Sequence, residues 1–96
     1  MPHLSGIIIH DTAIIGEDVT IFQQVTIGVN EHDKYKSRRA AIIGKNVYIG
    51  AGAKVIGNVR IGDNVRIGAN AVVCKDIPDN CTVVGSNKII RHKFYV

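Results

Sequence analysis

A six-residue repeat constrains this chain more than any other feature. Between Ala41 and Val73 a branched aliphatic returns at Ile43, Ile49, Val55, Ile61, Ile67 and Val73. A second apolar residue stands two places before each, at Ala41, Val47, Ala53, Val59, Val65 and Ala71. Glycine follows the aliphatic at Gly44, Gly50, Gly62 and Gly68. The same phase runs through Ile9, Ile15, Ile21 and Ile27, and only the segment Val29–Ala40 interrupts it. A short fixed period of this kind marks a chain that stacks one small unit many times.

Six matches neither the 3.6-residue period of a helix nor the two-residue period of a long strand. Within each hexad, however, the two apolar residues sit two apart, on one face of a short strand. The residue between them then points outward, as at Tyr48, Lys54, Arg60 and Arg66. The remaining Gly, Asn, Asp and Ala positions suit a corner. Each hexad therefore predicts one strand and one corner. Three hexads close a triangular coil, and stacked coils form a parallel β-helix of about four turns. The periodicity leaves the hand of the helix open.

Length and composition agree. Ninety-six residues make one domain, 1–96, with coils over 1–85 and a short tail over 86–96. The 46% hydrophobic content is carried by Ile, Val and Ala, with five aromatics and no Trp. A slim prism of this size has much surface for its volume, so its core alone gives marginal stability. Association that buries one face is expected. No apolar run approaches the ~18 residues of a membrane span, and no basic-then-apolar leader precedes the first hexad. Cys74 and Cys81 have neither metal-pair nor disulfide-framework spacing, which suggests free thiols and a cytoplasmic setting. The net charge of +4 gathers in Lys34–Arg39 and Lys88–Lys93 without aromatic interleaving or a nucleic-acid motif. A phosphate-bearing small ligand fits that charge better than nucleic acid.

Read in order, His10 and Phe22 stand where the repeat elsewhere carries glycine. Val29–Ala40 (VNEHDKYKSRRA) is a polar excursion from the coil, and it makes the step from Ile27 to Ile43 ten residues longer than the single hexad that would otherwise join them. Loops on rigid scaffolds often carry function. Cys74–Asn80 reads as a turn around Pro78, Thr82–Gly85 as a last strand, and Ser86–Val96 as a basic-apolar strand or helix covering the open end.

The run from Ile42 to Asn80 resembles the hexapeptide-repeat acyltransferases with a left-handed β-helix. It is closest to the serine O-acetyltransferases and the sugar or polysaccharide O-acetyltransferases. The resemblance implies that hand, a homotrimer with clefts between subunits, acetyl-CoA as co-substrate and no metal. The segment His3-Leu4-Ser5-Gly6-Ile7-Ile8-Ile9 is similar to the serine acetyltransferase motif whose His is the general base, which makes His3 the first catalytic candidate. Galactoside-type enzymes place their His after a strand like Val25-Thr26-Ile27, which makes His32 the alternative. The resemblance further implies Ala51 and Ala69 along the pantetheine arm, Cys74 and Lys75 beside the coenzyme, and Arg91 at its nucleotide end. The sequence departs from the family pattern at Ala40, where serine acetyltransferases have a second His nearby, and at Gly85-Ser86-Asn87-Lys88, which replaces Gly-x-Pro-Ala. The 96 residues do not include the long helical N-terminal domain of serine acetyltransferases, which counts against the expectation of serine as acceptor.

Two other functions share the expected fold. A γ-type carbonic anhydrase needs three zinc-binding His, and His3, His10, His32 and His92 lack the close pair this requires. A non-catalytic β-helix acting as an assembly module needs no His at all.

Overall fold

A computed structural model describes residues 6–29 and 39–91. Two predicted site residues, His3 and His32, lie outside them, as does the middle of the excursion.

The hexads form short strands in the predicted places. They are β1 (Ile8–Ile9), β2 (Ile14–Ile15), β3 (Thr20–Ile21), β4 (Thr26–Gly28), β5 (Ile42–Ile43), β6 (Tyr48–Ile49), β7 (Lys54–Ile56), β8 (Arg60–Ile61), β9 (Arg66–Ile67) and β10 (Val72–Val73). Two longer strands follow, β11 (Cys81–Val84) and β12 (Lys88–Arg91). Among the described residues there is no helix. The strands lie in three sheets, ordered β1-β4-β7-β10, β2-β5-β8 and β3-β6-β9-β11-β12. We refer to these as faces A, B and C. Successive strands of the chain visit A, B and C in turn, so each circuit is one triangular coil and four coils stack.

All pairings between coils are parallel, and their register carries the repeat. Ile9 stands over Ile27, Val55 and Val73 on face A. Ile15, Ile43 and Ile61 stack on face B, and Ile21, Ile49, Ile67 and Val83 on face C. Between Thr26 and Lys54 the offset is 28 residues rather than the 18 between Lys54 and Val72. The surplus of ten is the excursion, inserted without disturbing the register.

These columns are the core. Ile21, Ile27, Ile49, Val55, Ile67, Val73 and Val83 are fully buried, and Ala41, Val47, Ala53, Val65 and Ala71 fill the two-before positions. The alternation of small and larger residues lets three walls meet around a narrow interior. Each aliphatic removed from water contributes about 1.5–3 kcal/mol.

The excursion is shorter at its roots than Val29–Ala40. Val29 packs against the core and Ala40 is fully buried, so the coil reaches into the segment from both ends.

The expected turn Cys74–Asn80 needs a larger correction. Ile77 is 2% exposed and bridges Ile61 in parallel, so it is the fourth member of the face B column. The last coil has lost two residues at the corner before it, since Ile61 and Ile77 are 16 apart and Ile43 and Ile61 are 18 apart. The shortened corner is bridged by a side chain: Asp76 Oδ1 accepts from the Arg60 backbone N–H at 2.8 Å.

The last strand begins at Cys81, which is buried as a core member. The tail then reverses, and β12 pairs antiparallel with β11. It shields the lower edge of face C and presents Lys88 and Arg91 on the new edge. Edge lysines and arginines discourage further strand addition.

Candidate functional site

The corners position every described candidate except Arg91, which ends β12. The corner between faces C and A carries Ala51 in the second coil and Ala69 in the third. Gly50 makes their close stacking possible: a Cβ there would lie 2.7 Å from the Ala69 backbone nitrogen. Ala51 is half-buried and its carbonyl accepts from Asn70 N–H at 2.8 Å. Neither the Ala51 nor the Ala69 N–H has an acceptor among the described residues. Two N–H donors without a described acceptor thus sit one coil apart, about 4.8 Å by strand spacing. Such a pair can hold the carbonyls of an extended ligand.

Cys74 and Lys75 occupy a different corner, between faces A and B, and both are exposed. The Cys74 N–H donates to Asn87 Oδ1 at 2.8 Å, which ties this corner to the tail. Cys74 and Cys81 are both free thiols, one exposed and one buried. Arg91 is exposed at the end of β12, opposite Cys81. The fold therefore brings Ala51 and Ala69 together, groups Cys74 with Lys75, and leaves Arg91 apart at the edge of face C.

The corner between faces B and C is a polar ladder. Asn46 Nδ2 donates to Asn64 Oδ1 at 2.7 Å, and Asn64 Nδ2 to Asn80 Oδ1 at 3.0 Å. All three adopt left-handed φ values of 57° to 59°, a region where asparagine is tolerated. Beside them, Asp63 and Asp79 accept backbone N–H groups from the coil above. A groove of about 400 Å³ lies along this ladder, with Asp18, Asn46, Tyr48 and Arg66 among its walls. The Arg66 guanidinium sits 5.6 Å from the Tyr48 ring centroid. None of the predicted site residues lines this groove, and its amides are engaged with one another.

The sequence marked His10 as a substitute for glycine and gave it no role in acyl transfer. Here it forms a bonded cluster at the first corner between faces A and B. Its Nδ1 lies 2.8 Å from Thr12 Oγ1 and accepts from Thr12 N–H at 3.1 Å. Thr12 Oγ1 in turn accepts from the buried Ala40 N–H at 2.8 Å, where the excursion rejoins the coil. The signal available in the sequence was a polar side chain at a position otherwise given to glycine.

No group of three or more His, Cys, Asp or Glu side chains able to hold a metal is found among the described residues. No described helix is long and apolar enough to cross a membrane.

With corners, columns and faces in place, comparison with known proteins bears on the family. A profile described as the bacterial transferase hexapeptide (six repeats) matches residues 40–75. Residues 40–75 thus carry the repeat of the hexapeptide transferases. Its fold is a left-handed parallel β-helix, as its likeness to solved serine acetyltransferases indicates. Serine acetyltransferase from Synechococcus elongatus is 49% identical over 83 residues, covering 86% of this chain and 33% of that protein. The Helicobacter pylori enzyme is 49% identical over 84 residues, covering 88% and 48% respectively. The crystal structure of Neisseria gonorrhoeae serine acetyltransferase superposes with a TM-score of 0.86 at 37% identity, covering 97% of this chain and 35% of that one. Another structure of the Neisseria enzyme, in complex with serine, gives 0.78 at 42% identity over 86% and 33%. This hexapeptide-repeat chain thus spans between a third and a half of these relatives.

Proposed function

We propose that this chain is the acyl-transfer unit of an acetyl-CoA-dependent O-acetyltransferase of the serine acetyltransferase kind. The observation that carries this reading is the identity of 49% to serine acetyltransferases across nearly all the coils. The paired, unbonded N–H groups of Ala51 and Ala69 support it, because they suit the amides of a pantetheine arm.

In this reading a neutral imidazole takes the proton from the acceptor hydroxyl as its oxygen attacks the thioester carbonyl. Such a base contributes ~10²–10⁴-fold, and an imidazole titrates near pH 6.5. The tetrahedral intermediate collapses, the C–S bond breaks, and the proton passes to the departing sulfur. The products are the O-acetyl ester and free CoA. His3 is the base on this account. Lys75 and Arg91 meet the phosphates of the coenzyme, and Cys74 lies beside it. Ala51 and Ala69 lie on one corner, Cys74 and Lys75 on another. A cleft between neighbouring subunits of a homotrimer brings both kinds of corner to one ligand. The setting is cytoplasmic, where acetyl-CoA and reduced thiols coexist.

A second acceptor class has its own support. β4 is the V-T-aliphatic strand that precedes the excursion holding His32, which suits a sugar hydroxyl with His32 as base. The test is CoA release from acetyl-CoA with L-serine or a galactoside as acceptor. His3→Ala is expected to lower turnover by at least ~10²-fold while the protein stays folded. Full turnover by His3→Ala with loss in His32→Ala would move the base to the excursion. No CoA release with either acceptor, and no CoA binding, leaves a non-catalytic assembly module.

A further inference from the structure

We propose that His10 is a further catalytic residue of this site: its Nε2–H donates to the thioester carbonyl oxygen as negative charge develops there. The inference rests on the acyl-transfer reading and adds the oxyanion donor that the reading lacks.

The donors around the ring assign its tautomer. A backbone N–H can only donate, and Thr12 N–H reaches His10 Nδ1 at 3.1 Å. Thr12 Oγ1 receives the Ala40 N–H at 2.8 Å, so its own proton is available for Nδ1, also 2.8 Å away. The chain of bonds runs from Ala40 N–H through the Thr12 hydroxyl to Nδ1. Such chains reinforce one another. With Nδ1 accepting, the neutral ring carries its proton on Nε2. Asp11 Oδ1 lies 3.1 Å from Nδ1 and would accept a proton held there, but its side chain is 92% exposed and water serves it equally well. The Thr12 N–H, by contrast, has no other acceptor among the described residues. The imidazole is 37% exposed and anchored on one nitrogen. Its other nitrogen makes no hydrogen bond among the described residues. That is a pre-oriented donor.

The surroundings give it room. Because Ile9, Ile27, Val55 and Val73 are in register, the next residues along, His10, Gly28, Ile56 and Cys74, form one column. A Cβ at Gly44 or Gly50 would meet backbone of the coil below at 3.0 Å or less, whereas one at Gly28 meets only Ile56 Cδ1 and Thr26 Cγ2 at 3.8 Å. Gly28 also lacks the positive φ of Gly52 and Gly57. Neither backbone conformation nor described packing requires glycine there. Its bare surface leaves a notch one coil below the imidazole. At the other end of the column are Cys74 and Lys75, three strand spacings away, about 14 Å. A thioester arm starting at Lys75 would cross Ile56 and present its carbonyl at Gly28, beneath His10.

In the step itself, the hydroxyl oxygen bonds to the carbonyl carbon and the base takes its proton. The carbonyl oxygen gains charge and accepts from His10 Nε2–H. The C–S bond then breaks and the sulfur leaves with that same proton. His10 neither gains nor loses a proton in the cycle.

The test measures kcat, KM and pH profile for CoA release with acetyl-CoA and L-serine, using the full chain. His10→Ala is expected to lower kcat ~10²–10³-fold, with KM for acetyl-CoA within about twofold. His10→Gln, which keeps a donor, should recover part of the loss. The pH profile of His10→Gln should keep the wild-type shape, because the base is elsewhere. Gly28→Val, which fills the notch, should raise KM for acetyl-CoA. Circular dichroism checks that each variant folds. Wild-type kcat in His10→Ala overturns the proposal, and so does a flattened pH limb in His10→Gln, which would make His10 the base. A wild-type protein that neither binds acetyl-CoA nor releases CoA overturns the acyl-transfer reading, and this inference falls with it.

Discussion

At the scale of single residues, most side chains answer to their place in a column. An aliphatic at the end of each strand is buried because the other five residues of its hexad define where inside is. The corner asparagines answer to a different demand. Asn64 holds a left-handed φ of 58° and spans two amide bonds, one up to Asn46 and one down to Asn80. Asn64→Ala removes both bonds and keeps the φ, at which a Cβ without local hydrogen bonding costs roughly 1–2 kcal/mol. Each lost bond adds about 0.5–1.5 kcal/mol. Urea denaturation should show a loss of about 2–5 kcal/mol, with Asn64→Gly losing less because glycine accepts the φ. Equal stability for alanine and glycine would contradict the conformational part of this argument. Such ladders were legible in the sequence as corner residues but not as bonded columns, because the partners lie 16 or 18 residues apart.

At the scale of the element, the hexad was legible wherever its spacing held. The strands from β5 to β10 and their inward residues follow from the period alone, because a two-residue step fixes the face. Legibility failed where the spacing changed. Ile77 lies 16 residues from its partner, so it fell out of phase and read as part of a turn, although it is buried. Asp76 supplies to Arg60 N–H a bond that strand carbonyls supply elsewhere, and no local pattern announces it. β12 broke the parallel rule for a similar reason: a tail without glycine-marked hexads carries no register. Ile77→Ala is therefore expected to cost ~2–5 kcal/mol, like other buried aliphatic truncations. A thermal midpoint unchanged within a degree would place Ile77 in a surface turn. Of the candidate site, the corner alanines were legible by resemblance and the fold gave them free donors. The His10 cluster was not legible, because its geometry depends on Thr12 meeting Ala40 across 28 residues of chain.

At the scale of the whole molecule, one prism exposes more apolar surface than its neighbours in the column can cover. Ile8 is 63% exposed on face A and Ile14 is 52% exposed on face B, both in the first coil, with Ile90 46% exposed on the last strand. Ala51 and Ala69 on one corner and Cys74 and Lys75 on another give a single ligand no shared surface in one protomer. The proposed homotrimer would resolve both facts at once, by covering apolar faces and by setting one subunit's corner against another's. In that proposal the described residues supply the walls of a cleft and the subunit arrangement supplies the cleft itself. Native mass spectrometry of the chain, with and without CoA, tests this most directly. The account predicts a trimer that takes up three CoA molecules and a monomer fraction that takes up none. A CoA-saturated monomer, or a trimer that stays empty at millimolar CoA, would contradict it.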